Sequence, residues 1–210
     1  MNSSSLTVSE ASSLVRKLSQ RTPMGKQRLL EKWGLGGREF NQDYWLQSAT
    51  NQVEYEPEVI KKAYKPLIEI IAQSLQEGST ILDVGCGDGS LIKYLGDNGY
   101  KVEGLDINPI AVALARRNQV NASLMPKEGI SGNYNLILMH RVAEEPVMSN
   151  YEANQLVKSA CSHSDLVIVS TKIGLIPVND FSKYAKVEVL REGPGYENQQ
   201  IGRVVRLSTI

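Results

Sequence analysis

The sequence predicts an α/β fold in which helices cover both faces of a mostly parallel, seven-stranded sheet, with a helical extension at the N-terminus. From about residue 56 onward, short apolar strands alternate with helical patterns, which is typical of βαβ units. One of these strands, at 79–84, leads into a glycine-rich loop. Two segments of alternating apolar residues, 185–191 and 201–208, flank Gly193-Pro-Gly195 and predict an antiparallel C-terminal hairpin.

The glycine-rich loop joins a buried strand to a helix. Glycines alternate at Gly85, Gly87 and Gly89, so a ligand can approach the backbone closely. Apolar residues at helical spacing follow from Leu91, which predicts that the loop opens a helix. The free N–H groups and the positive dipole end of that helix suit an anionic group such as a carboxylate or a phosphate.

The residues around the glycines discriminate between two possible kinds of ligand, a dinucleotide and a ligand with cationic groups. A dinucleotide site of the G-x-G-x-x-G type needs its third glycine at the sixth position, where this chain has Ser90. Asp83, two residues before Gly85, would repel a pyrophosphate and would attract a ligand that carries positive charge. A ligand with cationic groups is therefore favoured, and a nicotinamide dinucleotide is the weaker alternative.

A second acidic residue marks the next strand. Asp106 lies 21 residues after Gly85, the interval that takes a βαβ unit along one helix and back up the neighbouring strand. We therefore expect Asp106 at the C-terminal end of that strand, level with the glycine loop. A carboxylate at this position can accept hydrogen bonds from both hydroxyls of a ribose.

Asp83-Val-Gly-Cys-Gly-Asp-Gly89 together with Asp106 resembles the cofactor site of the class I S-adenosylmethionine-dependent methyltransferases. The resemblance covers roughly residues 56–210, and residues 1–55 match no motif of that family. It implies a Rossmann-like fold, S-adenosylmethionine as cofactor and S-adenosylhomocysteine as product. It also implies that the glycines border the methionine portion, that Asp83 supports the loop and the ammonium group, and that Asp106 holds the ribose. The further cofactor contacts that we expect are Cys86, Ile107, Ser123, Leu124, His140 and Tyr44.

Residues 1–55 are treated as a helical extension and candidate lid, separate from the domain that follows. A capping box, Thr7-Val-Ser-Glu10, predicts one short amphipathic helix, and Thr22-Pro23 predicts the start of a second. We interpret the basic residues here as a solvated helix face, with nucleic acid or an acidic partner as the alternative. Residues 38–56 are irregular and aromatic. In many relatives of this fold such a segment forms a lid, often with a tyrosine, here Tyr44, near the methionine end.

The remaining helices and strands follow from apolar spacing and from helix-start signals. Pro57 begins a long helix that we expect Pro66 to kink, and Asn108-Pro109 caps the helix after the second strand. His163 lies in a polar turn and is expected to be solvated. The other predicted elements are strands at 120–125, 134–140 and 166–170 and a helix at 151–161, with a loop in place of a helix at 126–133.

The end of the third strand departs from the pattern of the family. Relatives commonly have an aspartate just past this strand, which binds the adenine amino group. This chain has Ser123, Leu124 and Met125 there, none of them acidic. A serine hydroxyl or a backbone carbonyl, with flanking apolar contact, is the expected substitute.

His140 ends the fourth strand, where ligands meet open parallel sheets. It is the candidate general base, because its ordinary pKa suits proton transfer near neutral pH; alternatively, it meets the cofactor only through its backbone. Glu144 and Glu145 are interpreted as surface charge. The chain lacks the Asp/Asn-Pro-Pro-Tyr/Phe motif of many enzymes that methylate nucleic-acid bases. Residues 172–184 are expected to line the acceptor pocket.

The composition sets outer limits on function. Lysine plus arginine and aspartate plus glutamate both number 23, so the net charge is zero, which argues against a large nucleic-acid surface. No apolar run is long enough to span a membrane, and the first residues lack the apolar core of a secretory signal. We therefore expect a cytoplasmic protein with no membrane partner. Cys86 and Cys161 fall in different units and indicate neither a disulfide nor a zinc site, and no metal is expected.

These observations predict a methyltransferase that uses S-adenosylmethionine and acts on an oxygen, nitrogen or carbon nucleophile. The neutral charge and the candidate lid favour a small-molecule acceptor. Two alternatives stay open. The acceptor is a protein or an RNA reached through the basic N-terminal helices, or the chain is a non-catalytic partner of another protein, which the missing acid after the third strand favours.

Overall fold

The computed structural model describes residues 7–19, 55–142, 149–171, 181–191 and 203–208. The helices in these ranges are α1 Val8–Ser19, α2 Pro57–Ser74, α3 Ser90–Asp97, α4 Pro109–Arg117 and α5 Asn150–Cys161. The strands are β1 Thr80–Val84, β2 Lys101–Asp106, β3 Ala122–Leu124, β4 Leu136–His140, β5 Leu166–Thr171, β6 Lys186–Arg191 and β7 Arg203–Ser208.

The strands form one seven-stranded sheet in the order β3-β2-β1-β4-β5-β7-β6. The strands β1 to β5 pair in parallel, and β7 runs antiparallel to both β5 and β6. This topology confirms the predicted Rossmann-like fold with an antiparallel C-terminal pair of strands. Because β1 lies between β2 and β4, the carboxyl ends of these three strands lie side by side at the centre of one sheet edge.

Helices cover both faces of the sheet because alternate residues of its central strands point to opposite sides. One face contributes Leu82, Val84, Ile137, Met139 and Val167 to a cluster with Ala153, Val157 and Ala160 of α5. The opposite face contributes Ile81, Leu136, Leu138 and Ile168 to a cluster with Leu67 and Ile71 of α2 and with Leu91 and Leu95 of α3.

Capping boxes begin two of the helices. At α1 the Thr7 N–H donates to Glu10 Oε2 at 2.8 Å and the Glu10 N–H donates to Thr7 Oγ1 at 3.3 Å, which confirms the predicted box. At α5 the Ser149 N–H donates to Glu152 Oε2 at 2.9 Å and the Glu152 N–H donates to Ser149 Oγ at 3.3 Å. The sequence analysis did not predict this second box, although Ser-x-x-Glu carries the same signal.

The first helix packs on the domain, against α4. Ala11, Leu14 and Val15 of α1 are buried, with exposed fractions of 0%, 0% and 2%. Val8 packs against the cluster that contains Cys86 of the glycine loop. The predicted N-terminal extension therefore includes a helix that belongs to the core of the domain.

Several predicted details change or fall outside the described ranges. β3 is three residues long, half the predicted length. The segment 126–133 contains no helix, as predicted. His163, predicted to be solvated, is partly buried, and its Nδ1 lies 2.7 Å from the carbonyl oxygen of Gly132. The second predicted helix, from Thr22, lies outside the described residues. Within the described part of the chain, no helix combines the length and the hydropathy needed to cross a membrane.

Candidate functional site

The glycine loop follows β1 at the central edge of the sheet and turns directly into α3. Gly85, Gly87 and Gly89 all have positive φ angles, of 78°, 58° and 76°. Residues that carry a side chain rarely adopt this left-handed region of the backbone, so the turn itself requires glycine. The Gly85 N–H donates to the Leu105 carbonyl at 2.6 Å, and the Gly89 N–H donates to the Cys86 carbonyl at 3.0 Å.

Close packing adds a second reason for two of these glycines. A Cβ on Gly85 would overlap the side chain of Val142, which follows β4. A Cβ on Gly89 would lie 2.9 Å from the Cβ of Ala115 on α4 and 3.1 Å from Val120 Cγ2. Contacts within the protein therefore account for Gly85 and Gly89, independently of any ligand.

Asp106 ends β2 and is tied to the glycine loop. Its Oδ2 accepts a hydrogen bond from the Gly87 N–H at 3.0 Å, and its Oδ1 accepts one from the Asn108 N–H at 2.8 Å. The side chain of Asn108 in turn caps α4, because its Oδ1 accepts from the Ile110 N–H at 2.9 Å. Burial raises the pKa of Asp106, and the N–H groups of Asn108, Gly87 and Ile107 oppose that shift. The carboxylate is thus held in a fixed orientation, with lone pairs left for a ligand.

Asp83 lies one strand away and is more deeply buried, with 3% of its surface exposed. Among the residues that the structure describes, its Oδ1 has no hydrogen-bond partner. Burial, and next the nearby Asp106 carboxylate, raise the pKa of Asp83 well above its usual value. A buried carboxyl oxygen without a partner is costly, and a cationic ligand group would both satisfy that oxygen and lower the pKa.

Cys86, in the same loop, is buried and has a packing role. It is 7% exposed and packs against Ile92, Val112 and Ala115. Burial raises the pKa of its thiol, and the carboxylates of Asp83 and Asp106 act in the same direction. The Cys86 side chain is therefore an uncharged packing residue rather than a nucleophile.

Two large apolar side chains near Asp106 are exposed. Ile107 is 71% exposed, and Leu124 at the end of β3 is 37% exposed. Leu124 is the Cα partner of Asp106 in the β2–β3 ladder, and Ser123, also exposed, is the partner of Leu105. The sheet thus places an apolar surface directly beside the Asp106 carboxylate.

His140 ends β4, as predicted, and its side chain turns into the domain. Its Nδ1 lies 2.8 Å from Ser170 Oγ on β5, and its ring meets the Tyr64 ring edge-on, with the centroids 5.2 Å apart. Its Nε2 is buried and has no hydrogen-bond partner within the described ranges. Burial, and then the Arg141 charge, lower the pKa of His140 to about 3, so the imidazole is neutral at physiological pH.

A methyltransferase domain model matches residues 55–146, the segment that carries the glycine loop, Asp106 and His140. Over these residues the chain is similar to the class I S-adenosylmethionine-dependent methyltransferases. A ribosomal protein L11 methyltransferase of Dictyoglomus thermophilum is 29% identical over 139 residues, 61% of this chain and 46% of the relative. A ribosomal RNA small subunit methyltransferase C of Chromohalobacter salexigens is 31% identical over 106 residues, 46% of this chain and 32% of the relative. The chain thus spans less than half the length of these curated relatives.

The fold of this methyltransferase domain resembles that of a solved enzyme from Synechocystis PCC 6803. That structure is magnesium protoporphyrin IX methyltransferase with S-adenosylhomocysteine (SAH) bound. The TM-score is 0.59 at 16% sequence identity, over 94% of this chain and 99% of the other. The match supports the sheet topology and the helix arrangement described above.

The predicted site residues of the methyltransferase domain fall into three groups. Asp83, the glycines and Asp106 lie together at the central sheet edge, Ser123 and Leu124 lie next to β2 on β3, and Ile107 directly follows Asp106. His140 lies at the end of β4 with its ring inward. Tyr44, Glu144 and Glu145 lie outside the described residues, as do most of the predicted acceptor-pocket residues.

Three neighbours of the site were not predicted as part of it. Asn108 orients the Asp106 carboxylate through its N–H, and the Asn-Pro pair already marked that position as a helix cap. Val142 and Ser170 gave no sequence signal, because they reach Gly85 and His140 only through sheet pairing between strands far apart in the chain.

Proposed function

We propose that this chain binds S-adenosylmethionine at the carboxyl ends of β1 and β2 and transfers its methyl group to an oxygen, nitrogen or carbon nucleophile of a small molecule. The observation that carries the proposal is the Asp106 carboxylate, fixed by N–H groups from Gly87 and Asn108 beside the unpartnered oxygen of Asp83. Together these acids suit a ligand with a ribose on one side and a cationic group on the other.

The proposed roles follow from these positions. Asp106 accepts hydrogen bonds from the ribose hydroxyls, and Asp83 balances the positive charge of the methionine portion. The glycine loop brings its backbone close to that portion, with Cys86 packing beneath it. Ile107 and Leu124 cover the base.

The bound cofactor supplies a methyl group already activated by its positive sulfonium. The protein then contributes mainly position, because a nucleophile held in line at about 3 Å from the methyl carbon reacts without further activation. A base is needed only where the acceptor must lose a proton. His140 is the candidate that the sequence offers, but its inward ring and its pKa of about 3 make it a weak base, which favours the alternative that His140 meets the cofactor only through its backbone.

The acceptor class is the finer part of the proposal. The zero net charge and the absence of the Asp/Asn-Pro-Pro-Tyr/Phe motif support a small molecule over a nucleic acid. A protein or an RNA acceptor remains the alternative, as does a non-catalytic role as partner of another protein. The missing acid after β3 is the observation that favours the non-catalytic role.

Calorimetric titration of S-adenosylmethionine and SAH tests the proposal. We expect micromolar binding by the wild type, about −8 kcal/mol. Asp106→Ala should weaken binding by about 2–3 kcal/mol or more, because it removes hydrogen bonds to a charged acceptor. The matched control is Glu103→Ala, which removes a carboxylate from the same strand that instead accepts from the Tyr134 hydroxyl.

Two results would contradict the proposal. One is a folded wild type that binds neither ligand, which would favour the non-catalytic partner. The other is equal weakening by Asp106→Ala and Glu103→Ala, which would mean that charge in general, and not the Asp106 carboxylate, carries the binding.

A further inference from the structure

Asp83 and Asp106 lie on the same face of the sheet, at its central edge. Gly104 is the Cα partner of Asp83 in the β1–β2 ladder, and Asp106 follows two residues later on β2. Paired residues in a ladder point to the same face, and every second residue of a strand returns to that face. Both residues are buried there, with exposed fractions of 3% and 7%. Two carboxyl groups thus share one buried site.

The two carboxyl groups differ in what stabilises their charged forms. Asp106 accepts hydrogen bonds from the Gly87 and Asn108 N–H groups, which favour its ionised form. Asp83 Oδ1 accepts none from the described residues. Burial raises the pKa of both groups, and at Asp83 the Asp106 charge adds to that shift, whereas N–H groups oppose it at Asp106. When such a pair holds one proton, the group without donors keeps it.

Within the described ranges, no buried positive charge lies beside Asp83 to offset this. Cys86 and His140 are neutral, because burial raises the pKa of the thiol and lowers that of the imidazole to about 3. The charged residues of α1, α2 and α4 are exposed, as is Arg141 after β4, and water weakens the effect of an exposed charge. The other titratable groups on the elements around Asp83 are Tyr64 on α2, Asp88 in the glycine loop, and Tyr94 and the paired Lys93 and Asp97 on α3.

The proposed function places the positive methionine portion of the ligand at Asp83, and this step rests on it. We propose that Asp83 is the residue by which the site selects ligands with an ammonium group, and that it carries a proton in the free protein which the ammonium displaces. The proton passes to the solvent, and the ammonium then lies against the ionised carboxylate. Cofactor binding is thus coupled to the release of about one proton.

The coupling fixes the direction in which affinity changes with pH. At low pH the ligand must displace the proton, so it binds more weakly. As the pH rises the free site loses the proton by itself, and binding tightens by up to about tenfold per pH unit. The neutral nucleoside 5′-methylthioadenosine has the base, the ribose and a thioether but no ammonium, so it displaces no proton. The ratio of its dissociation constant to that of SAH isolates Asp83, because Asp106, at the ribose, affects both ligands alike.

Calorimetric titration of SAH and 5′-methylthioadenosine into the full chain at pH 5 and pH 7 tests the inference. For the wild type this ratio should rise at least about tenfold between the two pH values. In Asp83→Asn, which keeps the shape of the side chain without a titrating group, the ratio should not depend on pH. The matched control is Glu103→Gln, which removes an exposed carboxylate of β2 and should leave the wild-type pH dependence in place.

The released proton is a second readout that needs no variant. Titrations at pH 5 in two buffers of different ionisation enthalpy should give binding heats that differ by about one proton per SAH and by none per 5′-methylthioadenosine. This measurement decides the matter if Asp83→Asn does not fold, or if 5′-methylthioadenosine binds too weakly to measure, since the proton count for SAH then stands alone.

Several results would overturn the inference and leave the proposed function intact. These are SAH binding with no proton release, equal proton release by both ligands, a ratio in the wild type that rises less than tenfold, or a pH dependence that Asp83→Asn retains. A folded wild type that binds neither SAH nor S-adenosylmethionine overturns the proposed function and this inference together.

Discussion

Asp83 and His140 are buried polar residues at the carboxyl ends of adjacent strands, and each has one polar atom without a hydrogen-bond partner in the described part of the chain. Such groups cost stability unless something satisfies them. Burial raises the pKa of the Asp83 carboxyl and lowers that of the His140 imidazole, so it disfavours the charged form of both. At the scale of single residues, these two buried groups therefore lower the stability of the fold, as is common where ligands bind.

His140 should make the stability of the protein depend on pH. Its pKa is about 3 when folded and about 6.5 when unfolded, so between these values the unfolded chain binds more protons. Stability should rise with pH through this window. From pH 5 to pH 7, the titration of His140 should raise the unfolding free energy by about 2 kcal/mol. Urea unfolding at both pH values, for the wild type and His140→Gln, measures it.

His163→Gln is the matched control for that measurement. His163 is the other histidine of the chain. Its ring is hydrogen-bonded to the backbone carbonyl of Gly132, which precedes β4. Asp83 and the other carboxyls titrate in every variant, so their effect cancels in the differences. A pH dependence that His140→Gln leaves unchanged would show that the folded His140 has an ordinary pKa.

The glycine loop and α3 act as one element. The loop turns at three left-handed glycines, and its last glycine lies against α4, so the start of α3 is fixed by packing as well as by the turn. A hydrogen bond from the Asn118 side chain to the Asp88 carbonyl, 2.9 Å long, adds a further tie to α4. At the scale of elements, contacts with α4 and with the residue that follows it fix the glycine loop and the start of α3.

A pair of alanine substitutions tests this account. Gly89→Ala should destabilise the protein by about 2 kcal/mol or more, because a left-handed residue gains a side chain in contact with Ala115. Gly96→Ala, on the exposed side of the same helix, has nothing within 4 Å of the new Cβ and no positive φ. It should be neutral or stabilise the protein by about 0.5 kcal/mol. Chemical denaturation of both variants measures the contrast, and equal effects would contradict it.

At the scale of the whole molecule, α1 extends the domain beyond the segment that resembles the methyltransferase family. Its residues Ala11, Leu14 and Val15 are buried, α1 contacts α4, and Val8 packs against the cluster around Cys86. α1 thus packs on the domain that follows, and the division at residue 55 stays a prediction. Whether the rest of residues 1–55 forms a lid stays a prediction.

The substitution Leu14→Ala tests how much the packing of α1 on the domain contributes to the unfolding free energy. Leu14 is completely buried, so the substitution should lower the unfolding free energy by about 3 kcal/mol while unfolding stays a single transition. Ser12→Ala, at an exposed position two residues earlier on α1, should change it by less than about 0.5 kcal/mol. A small effect of Leu14→Ala, or a separate early transition, would mean that α1 is only loosely attached.

Local chemistry explains what could be predicted. The three glycines, the 21-residue interval to Asp106 and the Asn108-Pro109 cap are short-range signals, and each predicted its element correctly. The alternation of strands and helices predicted the parallel sheet because connections in βαβ units follow a fixed hand. What these signals could not contain was any contact between strands that are distant in the chain.

The sequence by itself determined the sheet, the glycine turn and the acidic residue at the end of β2, because backbone geometry and the spacing of βαβ units leave few alternatives. Only the tertiary structure decided that Val142 lies on Gly85, that Ser170 holds the His140 ring inward and that α1 belongs to the core. Those outcomes depend on which strands become neighbours and on how deeply each side chain is then buried. Burial also sets the pKa of Asp83 and His140, since the cost of a charge depends on the surrounding medium and not on the adjacent residues of the chain.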